Sequence, residues 1–206
     1  MGKKITQPAE TYFQYKGNLS YLNDYEWEYN LVKDDAINAW CMPGGKIVFY
    51  TGILEVVQNE AGIAAIMGHE VAHALSNHGA QRMSIGTIQQ GLGVLVSQIA
   101  DKEPEKKKDL ILKAYGVGTN VAAVLPFSRA HENKADLIGM QLMTIAGFKP
   151  EEAALLLEPM QAQTPGSKMP QILSTHHSHQ TRILNLKQNA AKARALGQQI
   201  KDSLGR

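Results

Sequence analysis

The feature that most constrains this chain is an HExxH motif, His69 to His73, inside a long apolar stretch. Residues four apart lie one above the other on a helix, so His69 and His73 can direct two imidazoles at one metal ion. Glu70 would lie beside the open coordination position, where its carboxylate can take a proton from a metal-bound water. A polar triplet buried among aliphatic residues is costly unless something binds it. The motif therefore predicts a metal site on a buried helix.

The competing interpretation is that both histidines are ordinary core residues with hydrogen-bond partners. At the histidine and glutamate frequencies of this chain, a chance HExxH would arise in roughly one chain in seventy. A third metal ligand elsewhere in the sequence would weaken the core interpretation further.

A second stretch offers that third ligand. Glu132 and Asp136 are four residues apart and share one helical face, with mostly apolar neighbours. Zinc held by two imidazoles needs a third protein ligand, which Glu132 can supply from a second helix. Asp136, one turn further on, can accept a hydrogen bond from the free ring nitrogen of a ligand histidine and fix its orientation. An exposed acidic helix face is the alternative interpretation of the same spacing.

Other third ligands fit less well. The metzincin pattern requires a glycine and a histidine where this chain has Ser76 and Gly79. His78 would point well round the helix from His73, and His131 faces about 100° away from its neighbour in sequence. We interpret His78 and His131 as solvent-exposed or structural histidines.

Bulk composition bounds the class of protein. A length of 206 residues suits one domain, and 44% hydrophobic residues allow a sizeable core. The formal net charge of +2 is too small to indicate a nucleic-acid partner. The lone cysteine, Cys41, excludes an internal disulfide and is interpreted as a small core residue.

The hydrophobic periodicity predicts an α+β, mainly helical fold over residues 1–206. Its parts are a small antiparallel three-stranded sheet, the motif helix, a helical hairpin, the third-ligand helix and a C-terminal helix. We place these parts at about residues 25–51, 59–82, 84–125, 128–146 and 180–204, respectively.

The three strands are expected at Trp27–Val32, Asn38–Met42 and Lys46–Thr51, with a tight turn at Pro43–Gly45. An exposed edge strand beside a metal site could bind an extended peptide through backbone hydrogen bonds. The sheet could equally serve only to support the motif helix, and the sequence leaves both interpretations open.

The hairpin at 84–125 has apolar residues at helical spacing on both arms, joined by a loop of mixed charge. A hairpin that dips into a membrane is one interpretation. Packing into the core is the favoured one, because each apolar run is shorter than the roughly 18–20 residues that cross a bilayer. Because this hairpin joins the two ligand-bearing helices, we also hypothesise that it gates the site.

A cluster of histidines, His176, His177 and His179, follows near the C-terminus. Such a cluster could bind metal adventitiously. It could also donate a hydrogen bond to a transition-state oxyanion.

Five blocks in this order resemble the HtpX-like zinc metallopeptidases, and most closely the soluble bacterial branch similar to LoiP and OMA. The blocks that carry the resemblance are Asn38–Ile47, Thr51–Leu54, Gly68–Ala74, Ser128–Asp136, and Ser174–His176 with Arg182–Ile183.

The resemblance implies a gluzincin-type zincin domain with one Zn²⁺ per chain. His69, His73 and Glu132 would be the ligands, Glu70 the catalytic base that activates a zinc-bound water, and Asp136 a residue that orients a ligand. It also implies that His176 lies near the open side of the zinc and assists the transition state, as does Arg182.

The family usually has proline where this chain has His177. The function expected from motifs and resemblance together is a zinc-dependent endopeptidase that hydrolyses unfolded or misfolded proteins bound extended along an edge strand. A metal-binding chaperone or scaffold with a latent zinc site is the alternative, and a non-peptide zinc hydrolase is a further rival.

The resemblance implies export to the periplasm or membrane tethering, with a role in protein quality control. The residues themselves leave a cytoplasmic location open, since the chain starts abruptly and without an apolar leader. We expect no nucleic-acid partner, and membrane association only through a missing leader or lipid anchor.

Overall fold

The computed structural model describes residues 1–57, 59–162 and 180–205. These residues form helices around a small sheet, which confirms the α+β, mainly helical class. The strands are β1 (Glu28–Val32), β2 (Ala39–Cys41) and β3 (Lys46–Tyr50). The α-helices are α1 (Gly2–Tyr15), α2 (Glu60–Leu75), α3 (His78–Ala100), α4 (Glu105–Thr119), α5 (Leu125–Ile145), α6 (Glu152–Ala162) and α7 (Gln180–Ser203). Short 3₁₀ turns lie at Leu19–Leu22 and Thr51–Glu55, and a π-helical turn at Asn120–Val124.

The sheet has the strand order β1-β3-β2, with β3 in the centre. β2 pairs antiparallel with β3, from Ala39 opposite Phe49 to Cys41 opposite Ile47. β1 pairs parallel with β3, so the prediction of a wholly antiparallel sheet is wrong for this pair. The chain reverses direction twice between β1 and β3, which leaves these strands pointing the same way. They become neighbours because β3 inserts between the two earlier strands.

The turn between β2 and β3 depends on glycine. Gly44 and Gly45 have φ angles of 87° and 95°, a region that other residues rarely adopt. The Pro43–Gly45 turn predicted from the sequence therefore has a direct conformational cause.

Helix α2 is buried along almost its whole length. It begins at the predicted cap, where the Asn59 side chain accepts a hydrogen bond from the Gly62 amide at 2.8 Å. At the other end, the hydroxyls of Tyr21 and Tyr25 donate to the carbonyls of Leu75 and Ala74, each at 3.0 Å. These bonds satisfy carbonyls that have no partner within a helix.

The motif helix is shorter than predicted. The expected span of 59–82 is divided between α2 and α3, because Asn77 adopts a left-handed conformation with φ of 53°. Asparagine tolerates this conformation better than most residues, so it can end a helix without glycine.

The packing of the chain divides it into a larger unit, Met1–Ser76 with Glu132–Arg206, and a smaller unit, Asn77–His131. A single metallopeptidase domain over 1–206 therefore stays a prediction. The main core lies in the larger unit and joins residues of α1, the sheet, α2 and α5. Its members include Ile5, Ala9, Ile47, Phe49, Ile53, Val71, Leu142 and Met143.

The smaller unit consists mainly of the α3–α4 hairpin. No residue of α4 is buried, and only His78 and Ala100 are buried in α3, both helices being described throughout. The favoured prediction that the hairpin packs into a core is therefore wrong. Many of its large aliphatic side chains are exposed instead, among them Ile88, Leu95 and Leu110. No helix among the described residues is both long enough and apolar enough to cross a membrane.

His78 and His131 lie within the smaller unit and are buried. Their rings stack with centroids 3.9 Å apart. His131 Nε2 also lies 2.8 Å from Gln81 Oε1. Of the two predicted roles for these residues, the structure favours the structural one over solvent exposure.

Candidate metal centre

Three metal-ligand side chains converge inside the larger unit. His69 and His73 extend from one face of α2, and Glu132 extends from α5. All three are buried. The two Nε2 atoms lie 3.0 Å apart, and the Glu132 carboxylate oxygens lie 3.3 Å from His69 Nε2 and 3.4 Å from His73 Nε2.

These distances fit a tetrahedral metal ion. Bonds of about 2.1 Å in tetrahedral geometry place neighbouring ligand atoms about 3.4 Å apart. Two imidazole nitrogens and one carboxylate oxygen, with one position left open, form the usual donor set of a catalytic zinc site. The residues therefore fit the ion that the sequence predicts.

Two glycines allow the ligand-bearing helices to cross closely. A Cβ atom added to Gly68 would lie 3.0 Å from the Gly139 carbonyl oxygen. One added to Gly139 would lie 3.0 Å from both the Gly68 carbonyl carbon and the His69 amide nitrogen. The backbones thus touch one residue before His69, which brings Glu132 within reach of both histidines.

Asp136 fixes the orientation of one ligand. Its Oδ1 lies 2.9 Å from His69 Nδ1, one turn beyond Glu132 on α5. When Nδ1 donates its hydrogen to the Asp136 carboxylate, Nε2 carries no hydrogen. Its lone pair then points toward the other two metal-ligand side chains, His73 and Glu132. The contact has the form that the sequence predicts for Asp136.

Arg182 supports the same carboxylate from α7. Its Nε donates to Asp136 Oδ2 at 2.8 Å, and its Nη2 donates to Oδ1 at 2.7 Å. Nη1 lies 3.5 Å from Glu132 Oε2. The guanidinium is buried and therefore balances two buried acids.

The electrostatics of this cluster favour an ionised Asp136. Burial alone would raise the pKa of Asp136, but the Arg182 guanidinium and His69 hold it well below its usual range. Burial and Arg182 both act to lower the pKa of His69. Hydrogen bonds to Asp136 and Glu132 outweigh them and raise that pKa to about 9. The Asp136 carboxylate is therefore a strong acceptor for the ligand ring.

Glu70 is buried on the same helix as the two histidines. The charge of Glu70 helps to raise the pKa of Arg182 and that of Cys41 on β2. Burial, followed by the charge of Glu70, raises the pKa of the Cys41 thiol to about 12. The base predicted from the motif therefore lies on the side of α2 that β2 packs against.

Of the predicted site residues, the structure brings together the motif residues, both acids of α5 and Arg182. They are His69, Glu70, His73, Glu132, Asp136 and Arg182. His176 and its neighbours His177 and His179 lie outside the described residues, so no position is assigned to them.

Sequence reasoning missed the helix crossing. Gly68 precedes the first ligand histidine directly, and Gly139 follows Asp136 by three residues. A glycine beside each ligand segment, within otherwise helical stretches, is the signal that could have indicated a close approach of two backbones.

Comparison with known proteins gives a consistent picture. The family model described as "Peptidase family M48" matches residues 14–190. The mitochondrial metalloendopeptidase OMA1 of Schizosaccharomyces pombe is 32% identical over 171 residues, which cover 82% of this chain and 48% of that protein. OMA1 of Arabidopsis thaliana is 32% identical over 177 residues, covering 86% of this chain and 34% of that protein.

A bacterial relative matches at a similar level. The beta-barrel assembly-enhancing protease of Escherichia coli is 28% identical over 170 residues, covering 81% of this chain and 35% of that protein. This chain thus spans about half or less of the length of these relatives. The matched range includes the HExxH helix and both acids of α5, so the resemblance inferred from the motifs is confirmed, and the chain belongs to peptidase family M48.

Proposed function

We propose that this chain is a zinc-dependent endopeptidase. The observation that carries the proposal is the convergence of buried His69, His73 and Glu132 at tetrahedral spacing, with Glu70 on the same helix. The names of its relatives support hydrolysis of peptide bonds, since they are a metalloendopeptidase and a protease.

Zinc is the proposed metal because the donors are two nitrogens and one oxygen. When bound, zinc polarises the scissile carbonyl and lowers the pKa of water toward about 7. The chain itself supplies the proton transfers. The Glu70 carboxylate accepts a proton from the attacking water and then donates it to the amine nitrogen as the peptide bond breaks.

Arg182 and Asp136 hold the ligand side chains in place. Two of the Arg182 nitrogens are engaged with Asp136, and a third lies nearest Glu132, which favours an orienting role over contact with a transition-state oxyanion. For His176 we keep the role implied by the resemblance, donation to that oxyanion.

The proposed substrates are polypeptides bound in extended form along β2. This strand is an edge of the sheet, and β3 is its only strand partner among the described residues. Strand β2 packs against α2, and the charge of Glu70 contributes to the raised pKa of Cys41 within β2. A backbone added alongside β2 would therefore run close to the base. Unfolded or misfolded proteins supply such extended segments.

We also propose an exported or membrane-tethered location for the native protein. The support is by analogy only, since one group of relatives is named mitochondrial and another is named for β-barrel assembly.

The test compares Glu70→Gln with the parent chain. We expect equal zinc content by elemental analysis and a loss of about 10²–10⁴-fold in cleavage of an unfolded protein such as reduced casein. Glu60→Gln is the matched control, because Glu60 lies on the same helix but is exposed and pairs with Lys4.

Three results would contradict the proposal. Undiminished cleavage by the Glu70→Gln variant would remove the proposed base. Suppression of aggregation by both chains, with cleavage by neither, would favour a scaffold with a latent metal site. Turnover of simple esters, but not of peptides, would favour a non-peptide hydrolase.

A further inference from the structure

A cavity of about 430 Å³ lies in the larger unit, where α1, the end of α2 and the middle of α5 meet. Leu75 on α2 and Lys134 on α5 are among the residues that line it. Each follows a proposed metal ligand, His73 or Glu132, by two positions and therefore points about 200° around its helix from that ligand. The cavity is thus on the opposite side of both ligand-bearing helices and is distinct from the metal centre.

Aromatic rings form one wall of the cavity. The rings of Phe13 and Tyr21 stack, with centroids 4.8 Å apart and planes 4° apart. Tyr12 meets Phe13 edge-on at a centroid distance of 5.6 Å. Partial burial raises the pKa of the Tyr12 hydroxyl, as an apolar surrounding does. Such a wall favours a ligand with a flat apolar group, which can lie against the rings.

Carbonyl groups at this wall already accept hydrogen bonds. The Tyr21 hydroxyl donates to the Leu75 carbonyl at the end of α2, at 3.0 Å. Just beyond the end of α1, the Asn18 amide donates to the Phe13 carbonyl, also at 3.0 Å. Oxygens that are satisfied in this way do not require a cationic ligand.

Two lysines supply the charged groups of the cavity. Lys16 Nζ lies 5.6 Å from the centre of the Tyr12 ring, a cation–π contact that holds this ammonium against the aromatic wall. Lys134 shares one face of α5 with Ile138, which also lines the cavity. Among the described residues, neither ammonium lies within 4 Å of a carboxylate, and no aspartate or glutamate lines the cavity.

The charge of these lysines outweighs that of the nearby helix ends. A helix C-terminus carries about half a negative charge, and both α1 and α2 end at the cavity. Two ammonium groups and two helix ends together give about one positive charge. An anionic ligand would therefore be attracted, whereas a cationic one would be repelled.

We propose that this cavity binds a small carboxylate with a flat apolar body. The carboxylate would pair with Lys16 and Lys134, and the apolar body would lie against the aromatic wall. A free aromatic acid and the C-terminal residue of a peptide share this chemistry, and a cavity of this size is typical of small-ligand sites. The proposal uses none of the metal ligands, so Glu70→Gln should bind such a ligand as the parent chain does.

The experiment is a calorimetric titration of the whole chain with 2-naphthoate, compared with 2-naphthamide, a neutral molecule of the same shape. The test variant is Lys16→Gln with Lys134→Gln. The matched control is Lys149→Gln with Lys192→Gln, which removes the same charge from two exposed lysines of the larger unit that do not line the cavity. We expect the affinity for 2-naphthoate to fall by about tenfold in the test variant and to stay unchanged in the control. Affinity for 2-naphthamide should be low and equal in all three chains.

A second measurement locates the ligand on the unaltered chain. Lysine acetylation by an N-hydroxysuccinimide ester is followed by mass spectrometry, with and without 2-naphthoate. Saturating ligand should remove most of the reactivity of Lys16 and Lys134 and leave that of Lys149 unchanged, because an ammonium paired with a carboxylate is less accessible to the reagent.

N-acetylphenylalanine distinguishes the two sources of the carboxylate. Tighter binding of N-acetylphenylalanine than of 2-naphthoate would indicate the C-terminal residue of a peptide, and the reverse order would indicate a free aromatic acid. Either order supports the proposal, provided that the primary amide of N-acetylphenylalanine binds more weakly than the acid.

A carboxylate can also bind to zinc, so each titration is repeated with a chelator present. Binding of 2-naphthoate that the chelator or Glu70→Gln abolishes would overturn the proposal, because the ligand would then lie at the metal centre. Equal affinity of the parent chain and the Lys16→Gln, Lys134→Gln variant would also overturn it. So would the absence of both heat and lysine protection at millimolar 2-naphthoate.

Discussion

The guanidinium of Arg182 and the carboxylate of Asp136 form a two-point ion pair, with N–O distances of 2.8 and 2.7 Å. Asp136 in turn accepts from His69 Nδ1 at 2.9 Å. These contacts connect Arg182 on α7 through Asp136 on α5 to His69 on α2. They form one buried series that ends at a proposed metal ligand. The orientation of that ligand thus depends on a residue 113 positions further along the chain.

Replacing Arg182 by Met should release Asp136 from this chain of contacts. We expect the free energy of unfolding to fall by about 3–5 kcal/mol, because two buried carboxylates lose their counter-charge. Zinc affinity should fall by about 10–100-fold, because His69 loses its fixed orientation. Urea unfolding and competition with a chromophoric chelator measure the two effects.

The control for this variant is Arg194→Met, which removes an exposed ion pair with Glu151 and should leave both quantities nearly unchanged. Adding Asp136→Leu to Arg182→Met should recover part of the stability but none of the zinc affinity. Equal effects of Arg182→Met and Arg194→Met would contradict the orienting role.

Glu132→Ala should remove one of three protein ligands. Elemental analysis of the parent chain should give about one zinc per chain, and the variant should lose most of it. Glu158→Ala is the matched control, since Glu158 is a half-buried glutamate of α6 that pairs with Lys187 away from the metal ligands. Zinc retained by Glu132→Ala would place the ion elsewhere, with the histidines at 176–179 as the first alternative.

Gly139→Ala should separate the two ligand-bearing helices, because the new methyl group meets the backbone at Gly68 and His69. We expect a loss of about 1–3 kcal/mol in the free energy of unfolding and a weaker zinc site. Gly116→Ala in α4 is the control, since nothing lies within 4 Å of its added methyl group. It should be neutral or stabilising. A neutral Gly139→Ala would show that the crossing can relax without cost.

The Cys41 thiol should resist alkylation in the folded protein. Burial, and then the charge of Glu70, raise its pKa to about 12, so at pH 8 the thiol stays protonated. Because only the thiolate reacts, iodoacetamide labelling should be about a thousandfold slower than for a thiol with the usual pKa. The reaction should reach its normal rate in urea, and Glu70→Gln should speed it in the folded chain. A folded-state rate within tenfold of the urea rate would contradict the raised pKa.

Local patterns in the sequence predicted much of this protein correctly. The three strands lie close to their predicted positions, Asn59 caps α2, and Pro43–Gly45 forms the turn between β2 and β3. Such features depend on residues that are near one another in the chain. Periodicity, capping and turn chemistry are therefore sufficient to indicate them.

Local patterns did not predict how the strands pair in the sheet or which faces of the hairpin helices are exposed. Alternation predicts that Glu28–Val32 is a strand but not that it pairs parallel with β3. Apolar spacing on α3 and α4 predicts two helices but not which face turns outward. Both outcomes depend on contacts between distant segments, and a one-dimensional pattern does not specify those partners.

The sequence by itself determined the chemistry available to this chain. Spacing of four residues on a helix aligns His69 with His73 and Glu132 with Asp136, whatever the rest of the fold does. Only the tertiary structure decided how these pairs meet, because the meeting requires a close backbone crossing at Gly68 and an ion pair supplied by α7. Helix periodicity fixes side chains relative to their own axis, whereas long-range packing fixes one axis relative to another.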